Sequence, residues 1–302
     1  MDFQTVIYIA VLAGMRVIQA INNKVSSNSI HNNRQLFLFV GYQNAVSALL
    51  GLGLLFFVGM QQLQMQTFVL ATLMGLMLTA NALANTEALK ISICVFTSVI
   101  ANAGGLVIPA VAGIFLFQQP MNLFQWLGVG IVLLGAYLTL PPSTQEEQRR
   151  FRRKDIRKAV LFSVIFFSNG MMPVIQTWFA VKTNGSVAMF TFVQFLTSAA
   201  ATLLIGLRMK TVSAAGQPIR NPESKKLAVS GFLLALAVFV TSQLVTILTK
   251  TIPSAVLFPS LVAMTLLITA LVGRVFFREK VTARIGLGLL ICMIGVVLTN
   301  LK

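Results

Sequence analysis

Ten long apolar runs follow one another along the chain, and they limit its possible folds more than any other feature. Each run is close to the roughly 20 residues that a membrane-spanning helix needs. The runs lack strand-like alternation, and inside lipid a single apolar segment satisfies its backbone hydrogen bonds only as a helix. The predicted spans are residues 4–25, 35–59, 66–88, 92–117, 123–140, 158–181, 187–208, 227–249, 254–277 and 283–301.

The composition agrees with insertion into a membrane. Of the 302 residues, 57% are hydrophobic and 10% are charged, whereas soluble domains carry about 25% charged residues. The lone histidine, His31, has no partner for a metal site. Motifs of membrane enzymes are also absent from the sequence. We therefore predict an all-α membrane protein with ten transmembrane helices, which is not an enzyme and holds no metal or other cofactor.

Two segments of the chain match when one is shifted by 160 residues without a gap. The first runs from Phe117 to Leu140 and the second from Phe277 to Asn300. A match of this length at one offset indicates a membrane module that is present twice. The coinciding pairs are Phe117 with Phe277, Gly128 with Gly288, Gly135 with Gly295 and Leu138 with Leu298.

Basic residues predict how the two copies are inserted. The connectors after odd-numbered spans hold nineteen lysines and arginines, and the opposite side holds three, which indicates cytosolic odd connectors and external termini. Because five spans separate the copies, the halves are predicted to be inverted relative to each other. The predicted domains are residues 1–141, a five-helix repeat; 142–157, a basic cytosolic linker; and 158–302, the second repeat. The net charge of +16 then reflects orientation in the bilayer, not nucleic acid binding.

Polar residues cluster on one face of the first span. Arg16, Gln19 and Asn23 fall within roughly 60° of one another at about 100° per residue. An arginine in mid-span costs at least about 2.5–3.5 kcal/mol, so it needs a wet cavity or a partner. One interpretation is a cation for an anionic or carboxylate-bearing ligand. The other is an arginine that extends toward the membrane surface or pairs with a helix end.

Amides and hydroxyls recur in the middle of other spans. Some are at matching positions of the two halves, such as Gln43 with Gln194. They predict a polar pocket, although hydrogen bonds between helices would use the same residue types. The full set of predicted substrate-binding residues is Arg16, Gln19, Asn23, Gln43, Asn81, Asn85, Asn102, Asn169, Gln176, Gln194 and Thr241.

Spans 5 and 10 differ from the rest, because they carry glycines in place of mid-span polar groups. Small residues favour close helix packing. We expect these spans to act as scaffold helices, and their glycine faces allow a homodimer. The glycines are Gly128, Gly130 and Gly135, then Gly286, Gly288 and Gly295.

The second copy, FFREKVTARIGLGLLICMIGVVL from Phe276 to Leu298, resembles the end-of-repeat motif of the drug/metabolite transporter superfamily, EamA-like branch. The first copy fits less closely, with Gln119 where the second has Glu279. The resemblance implies two inverted five-helix repeats, a secondary transporter with alternating access, and a cavity between spans 1–4 and 6–9. The related small multidrug resistance proteins have an essential carboxylate eight residues before a lysine in span 1. Here Arg16 is eight residues before Lys24, which implies a basic site in place of the acidic one.

These observations together predict a bacterial inner-membrane transporter whose partners are the lipid bilayer and a small polar metabolite. An anionic or zwitterionic solute, such as an amino acid or a nucleoside-like compound, fits the basic site. The alternatives are an efflux transporter for organic cations and a membrane protein that acts as a partner or sensor without transporting a solute.

Overall fold

A computed structural model describes residues 3–30, 32–59, 64–90, 94–118, 121–139, 145, 156–209, 224–278 and 282–299. Over these ranges the fold is all-helical, with ten long helices. They are α1 (Phe3–Ser29), α2 (Asn33–Val58), α3 (Met65–Lys90), α4 (Cys94–Phe115), α5 (Leu123–Thr139), α6 (Ile156–Lys182), α7 (Val187–Arg208), α8 (Ser224–Leu248), α9 (Ser254–Phe277) and α10 (Ala283–Thr299).

Each predicted span coincides with one helix, and no helix end differs from its predicted position by more than four residues. Six helices among the described residues are long and apolar enough to cross a membrane, namely α2, α3 and α6 to α9. The other four contain shorter apolar stretches, such as Ile7–Asn23 in α1. The predicted linker, 142–157, lies almost entirely outside the described residues.

The chain forms two compact units. The first unit combines Met1–Thr79 with Asn184–Val245, and the second combines Ala80–Thr183 with Thr246–Lys302. Each unit therefore takes helices from both halves of the sequence. This division concerns contacts within the folded chain, and the assignment of residues 1–141 and 158–302 as repeats stays a prediction.

The first unit is built on the pair of α2 and α7. A Cβ atom added at Gly51, late in α2, would lie 3.1 Å from the Cα atom of Phe192, early in α7. One added at Gly206, late in α7, would lie 3.2 Å from the Cβ atom of Phe37, early in α2. The two helices are therefore antiparallel, and their backbones approach closely at glycine, where no side chain separates them.

The second unit is built on the antiparallel pair of α5 and α10, which meet along a glycine seam, defined here as Gly128, Gly135, Gly288 and Gly295. Cβ atoms added at these positions would come within 2.6–2.8 Å of a carbonyl oxygen of the facing glycine: Gly128 faces Gly295, and Gly135 faces Gly288. Gly128 thus faces Gly295, which is the 160-residue counterpart of Gly135. Gly135 in turn faces Gly288, which is the counterpart of Gly128. Gly130 and Gly286 have open space around them, so only these two glycines of spans 5 and 10 lie outside the seam.

Helix ends also recur at the 160-residue offset. Gln118 and Arg278 both adopt a left-handed backbone, with φ of 52° and 53°, just after α4 and α9. This conformation is uncommon for residues other than glycine, and it ends a helix by turning the chain away from the axis. Four residues on, Asn122 accepts a hydrogen bond from the backbone N–H of Gln125 at 2.8 Å, which caps the start of α5. Thr282, which matches Asn122 at the 160-residue offset, caps the start of α10. Its Oγ1 atom accepts a longer hydrogen bond, of 3.4 Å, from the backbone N–H of Ile285.

We predict that Gly135→Ala destabilises the protein and that Gly130→Ala does not. Both glycines lie on α5, but a Cβ atom at Gly135 would lie 2.6 Å from the backbone nitrogen of Cys292, whereas nothing lies within 4 Å of one at Gly130. Overpacking of this kind costs about 1–3 kcal/mol. The midpoint of thermal unfolding in detergent micelles measures the effect. Equal midpoints for the two variants would contradict the seam.

Candidate functional site

Three of the predicted residues form a chain of hydrogen bonds between α1 and α8. Arg16 Nη1 donates to Gln19 Oε1 at 3.0 Å, and Gln19 Nε2 donates to Thr241 Oγ1 at 2.9 Å. Arg16 and Gln19 are three residues apart on one helix, so their side chains are neighbours on its surface. We call Arg16, Gln19 and Thr241 the arginine site.

The guanidinium of Arg16 lacks an ionic partner among the described residues of its own unit. All seven carboxylates of the sequence lie outside the described residues of this unit, which are 3–30, 32–59, 64–79, 184–209 and 224–245. The Arg16 Nε atom is buried and has no hydrogen-bond partner among the described residues. The site therefore carries a positive charge that no described residue of its unit neutralises.

The contact between α1 and α8 continues past the arginine site through residues that the sequence analysis missed. Ser26 and Ser230 share a hydrogen bond of 2.8 Å, and Ser230 also donates to the backbone carbonyl of Asn22 at 3.2 Å. Asn22 is buried, whereas the predicted Asn23 is exposed. The spacing of Gln19, Asn22 and Ser26, at i, i+3 and i+7, would have indicated this face.

A second polar cluster joins α2, α7 and α3 in the same unit. Asn44 Nδ2 donates to Ser198 Oγ at 2.9 Å, and Ser198 lies 3.4 Å from the hydroxyl of Thr79. Ser47 occupies the repeat position of Ser198 and donates to the carbonyl of Ala235 on α8 at 3.0 Å. The adjacent Gln43 is half-buried and makes no side-chain hydrogen bond to a described residue, so Asn44 joins the two helices in its place.

Gln194, the predicted counterpart of Gln43, is fully buried. Its Nε2 atom donates to Ser242 Oγ at 3.0 Å, next in sequence to Thr241 of the arginine site. Its Oε1 atom is buried and has no hydrogen-bond partner in the described part of the chain. One turn before it on α7, Thr191 accepts a hydrogen bond from Gln243 at 2.7 Å. Side chains of α7 and α8 are thus joined through amides and hydroxyls.

The second unit holds the other predicted residues. Asn81 donates to Ser168 at 3.2 Å, and Asn85 donates to Asn81 Oδ1 one turn away. Asn169 donates to the backbone carbonyl of Ile165 at 2.8 Å. Its own carbonyl lacks the usual helical donor, because the residue four positions later is Pro173. Gln176 is buried and Asn102 is half-buried.

The structure therefore brings Arg16, Gln19 and Thr241 together in one unit, and Asn81 and Asn85 together in the other. The hydrogen bonds of both groups use amides and hydroxyls, together with the guanidinium of Arg16. Among the described residues, no group of three histidine, cysteine, aspartate or glutamate side chains could hold a metal ion.

Comparison with solved structures finds a protein of the same fold. It is a crystal structure with a TM-score of 0.76, covering 99% of this chain and 97% of that chain at 12% sequence identity. An identity this low shows a shared fold alone. No protein-family model and no curated protein matches the chain.

We predict that Asn44 and Ser198 are energetically coupled. Hydrogen bonds between membrane helices are worth about 0.6 kcal/mol on average and at most about 1.7 kcal/mol. A double-mutant cycle with Asn44→Ala and Ser198→Ala should give a coupling free energy of unfolding in this range. The control cycle pairs Gln43→Ala with Ser198→Ala and should give a coupling near zero. A coupling that is the same in both cycles would contradict the assigned bond.

Proposed function

We propose that the protein is a secondary-active transporter of a small polar metabolite, built from two inverted five-helix repeats in the inner membrane of a bacterium. The observation that carries the proposal is the antiparallel pairing of repeat-related helices within each compact unit. Inversion of one repeat relative to the other in the membrane requires equivalent helices to run in opposite directions.

Two helix pairs support the inverted repeat. The helices α2 and α7 are second in their halves, α5 and α10 are fifth, and both pairs are antiparallel. In the glycine seam, Gly128 faces Gly295 and Gly135 faces Gly288. Replacing each glycine by its counterpart 160 residues away converts the contact of Gly128 with Gly295 into the contact of Gly288 with Gly135. A local two-fold axis between α5 and α10 would relate the two contacts in the same way. The matched left-handed turns at Gln118 and Arg278 are also typical of a duplicated module.

The distribution of polar groups supports a transport function. Among the described residues, buried amide side chains occur on α1, α2, α6 and α7, while α5 and α10 pack mainly through glycine and aliphatic side chains, with the Thr299 hydroxyl as the buried polar side chain of α10. Transporters with inverted repeats bind solutes near the middle of the membrane, at the interface of the repeats. In the proposed mechanism, polar helices bind the solute and the α5–α10 pair is a scaffold.

The proposal includes a homodimer through spans 5 and 10. The surface available for this dimer is smaller than the six glycines of these spans suggest. The four seam glycines already pack α5 against α10 within one chain. The surface that is left on these helices consists of exposed aliphatic and aromatic side chains around Gly130 and Gly286, such as Leu134 and Leu290.

The inverted topology predicts that the two ends of α5 open on opposite sides of the membrane. Single cysteines at Met121 and Gln145, in a variant without Cys94 and Cys292, should react differently with a membrane-impermeant maleimide. We expect Met121→Cys to be labelled in intact cells and Gln145→Cys only after permeabilisation. Asn184→Cys, in the connector after α6, should label like Met121→Cys. Labelling of Met121→Cys and Gln145→Cys from the same side would overturn the proposed arrangement.

The transport function predicts solute flux by the purified protein in liposomes. A thermal-shift screen against amino acids, nucleosides and organic anions selects the solutes, and radiolabelled forms of the hits are then tested for flux. We expect at least one hit to cross faster than in protein-free liposomes. Flux of organic cations alone would favour the efflux alternative. Binding without flux of any hit would favour a partner or sensor protein.

A further inference from the structure

We infer that the arginine site binds one carboxylate group of the transported solute, and that the solute is a monocarboxylate or a zwitterion. The inference rests on the proposed function and specifies the solute class. It also assigns separate roles to Arg16, which would contact the carboxylate, and to Gln19, which would position Arg16.

The described residues use little of the hydrogen-bonding capacity of Arg16. A guanidinium has five N–H donors in a planar fork, and the only bond to a described residue goes from Nη1 to Gln19 Oε1 at 3.0 Å. An unpaired charge and unsatisfied donors are costly away from water. An acceptor with two oxygens would satisfy the remaining donors, and a carboxylate matches the planar fork with two parallel hydrogen bonds.

The described part of the unit does not offer this carboxylate. The described residues of the first unit contain no aspartate or glutamate at all. An anion at Arg16 must then come from outside the described part of this unit. In a transporter that carries a polar solute, the solute is the component that can supply the anion and then leave.

Gln19 is held at both ends of its amide group. Its Oε1 atom accepts from Arg16, and its Nε2 atom donates to Thr241 Oγ1 at 2.9 Å. Because Thr241 belongs to α8, the orientation of the guanidinium depends on the position of α8 beside α1. This arrangement makes Gln19 a positioning residue and links occupancy of Arg16 to the contact between two helices.

The charge balance among the described residues of the unit fits one carboxylate at this site. The other basic residues whose side chains the structure describes in the unit lie near helix ends: Arg34 in α2, Arg208 in α7, and Lys225 and Lys226 in α8. Lys24 lies eight residues further along α1, or about 12 Å along the helix axis. A second carboxylate beside Arg16 would lack a cation there and would be costly to bury. A zwitterion with its ammonium group directed at amides and hydroxyls would not meet this cost.

The test is protection of Arg16 from phenylglyoxal, a reagent that modifies arginine side chains, with the full chain in detergent micelles. The probes are acetate, propanoate and benzoate, and each is compared with its uncharged amide at equal concentration and ionic strength. Mass spectrometry follows the adduct at Arg16 and, as an internal control, at the exposed Arg208. A carboxylate at ten times its Kd should slow modification of Arg16 by about tenfold, as the unoccupied fraction falls. The amides and Arg208 should show no such effect.

Equal rates with carboxylate and amide would overturn the inference, as would an Arg16 that does not react in the free protein. This measurement uses the wild-type chain, so it does not depend on the folding of an arginine variant. Variants of Thr241 then test the positioning role. Thr241→Val should raise the Kd for the protecting carboxylate about tenfold, the factor that corresponds to about 1.4 kcal/mol, while Thr241→Ser should retain it. Equal Kd values for the two variants would overturn the role of Gln19.

The outcomes separate this inference from the proposed function. Protection by carboxylates without flux in liposomes would keep the site and overturn transport. Flux of a solute that lacks a carboxylate, together with an unprotected Arg16, would keep transport and overturn the site.

Discussion

The packing of this chain depends on helices that approach at positions without a side chain. In a bilayer, lipid tails are as apolar as leucine, so burial of apolar surface does not by itself drive helices together. Close backbone contact, with its dispersion energy and directional carbonyl contacts, has to do so. Gly51 and Gly206 provide it in the first unit, and the glycine seam provides it in the second.

Polar side chains add hydrogen bonds between specific helices to this packing. The bonds from Gln19 to Thr241 and from Asn44 to Ser198 join helices that are distant in sequence, and each satisfies groups that lipid could not. Arg16 is the exception, because its charge has no counterpart among the described residues of its unit. This local charge imbalance is the reason that the arginine site and not the Asn44 cluster carries the proposal of a ligand.

The sequence predicts the helices well and their faces less well. Each run of apolar residues is about as long as a span, so the helix ends follow from where polar residues resume. The faces depend on neighbours that the sequence does not reveal. Asn22 is buried and Asn23 is exposed, and Asn44 makes a side-chain hydrogen bond to a described residue while Gln43 does not. Adjacent residues of a helix are rotated by about 100° around its axis. An error of one position in predicting the buried face therefore selects the wrong one of two adjacent amide side chains. The division into two compact units was not predicted either, because it depends on contacts between segments more than 60 residues apart.

The depth of Arg16 has an electrical consequence under the proposed ten-span arrangement. Arg16 is midway between Phe3 and Ser29, the ends of α1, and is therefore about 20 Å from each end at 1.5 Å per residue. A charge there lies inside the transmembrane field, where moving one elementary charge across the whole membrane changes the free energy by about 2.3 kcal/mol per 100 mV. A bound monocarboxylate cancels that charge, whereas a bound zwitterion leaves it in place. The membrane voltage would therefore act on movements of the empty protein and hardly at all on those of the protein loaded with a monocarboxylate, but equally on both when the solute is a zwitterion.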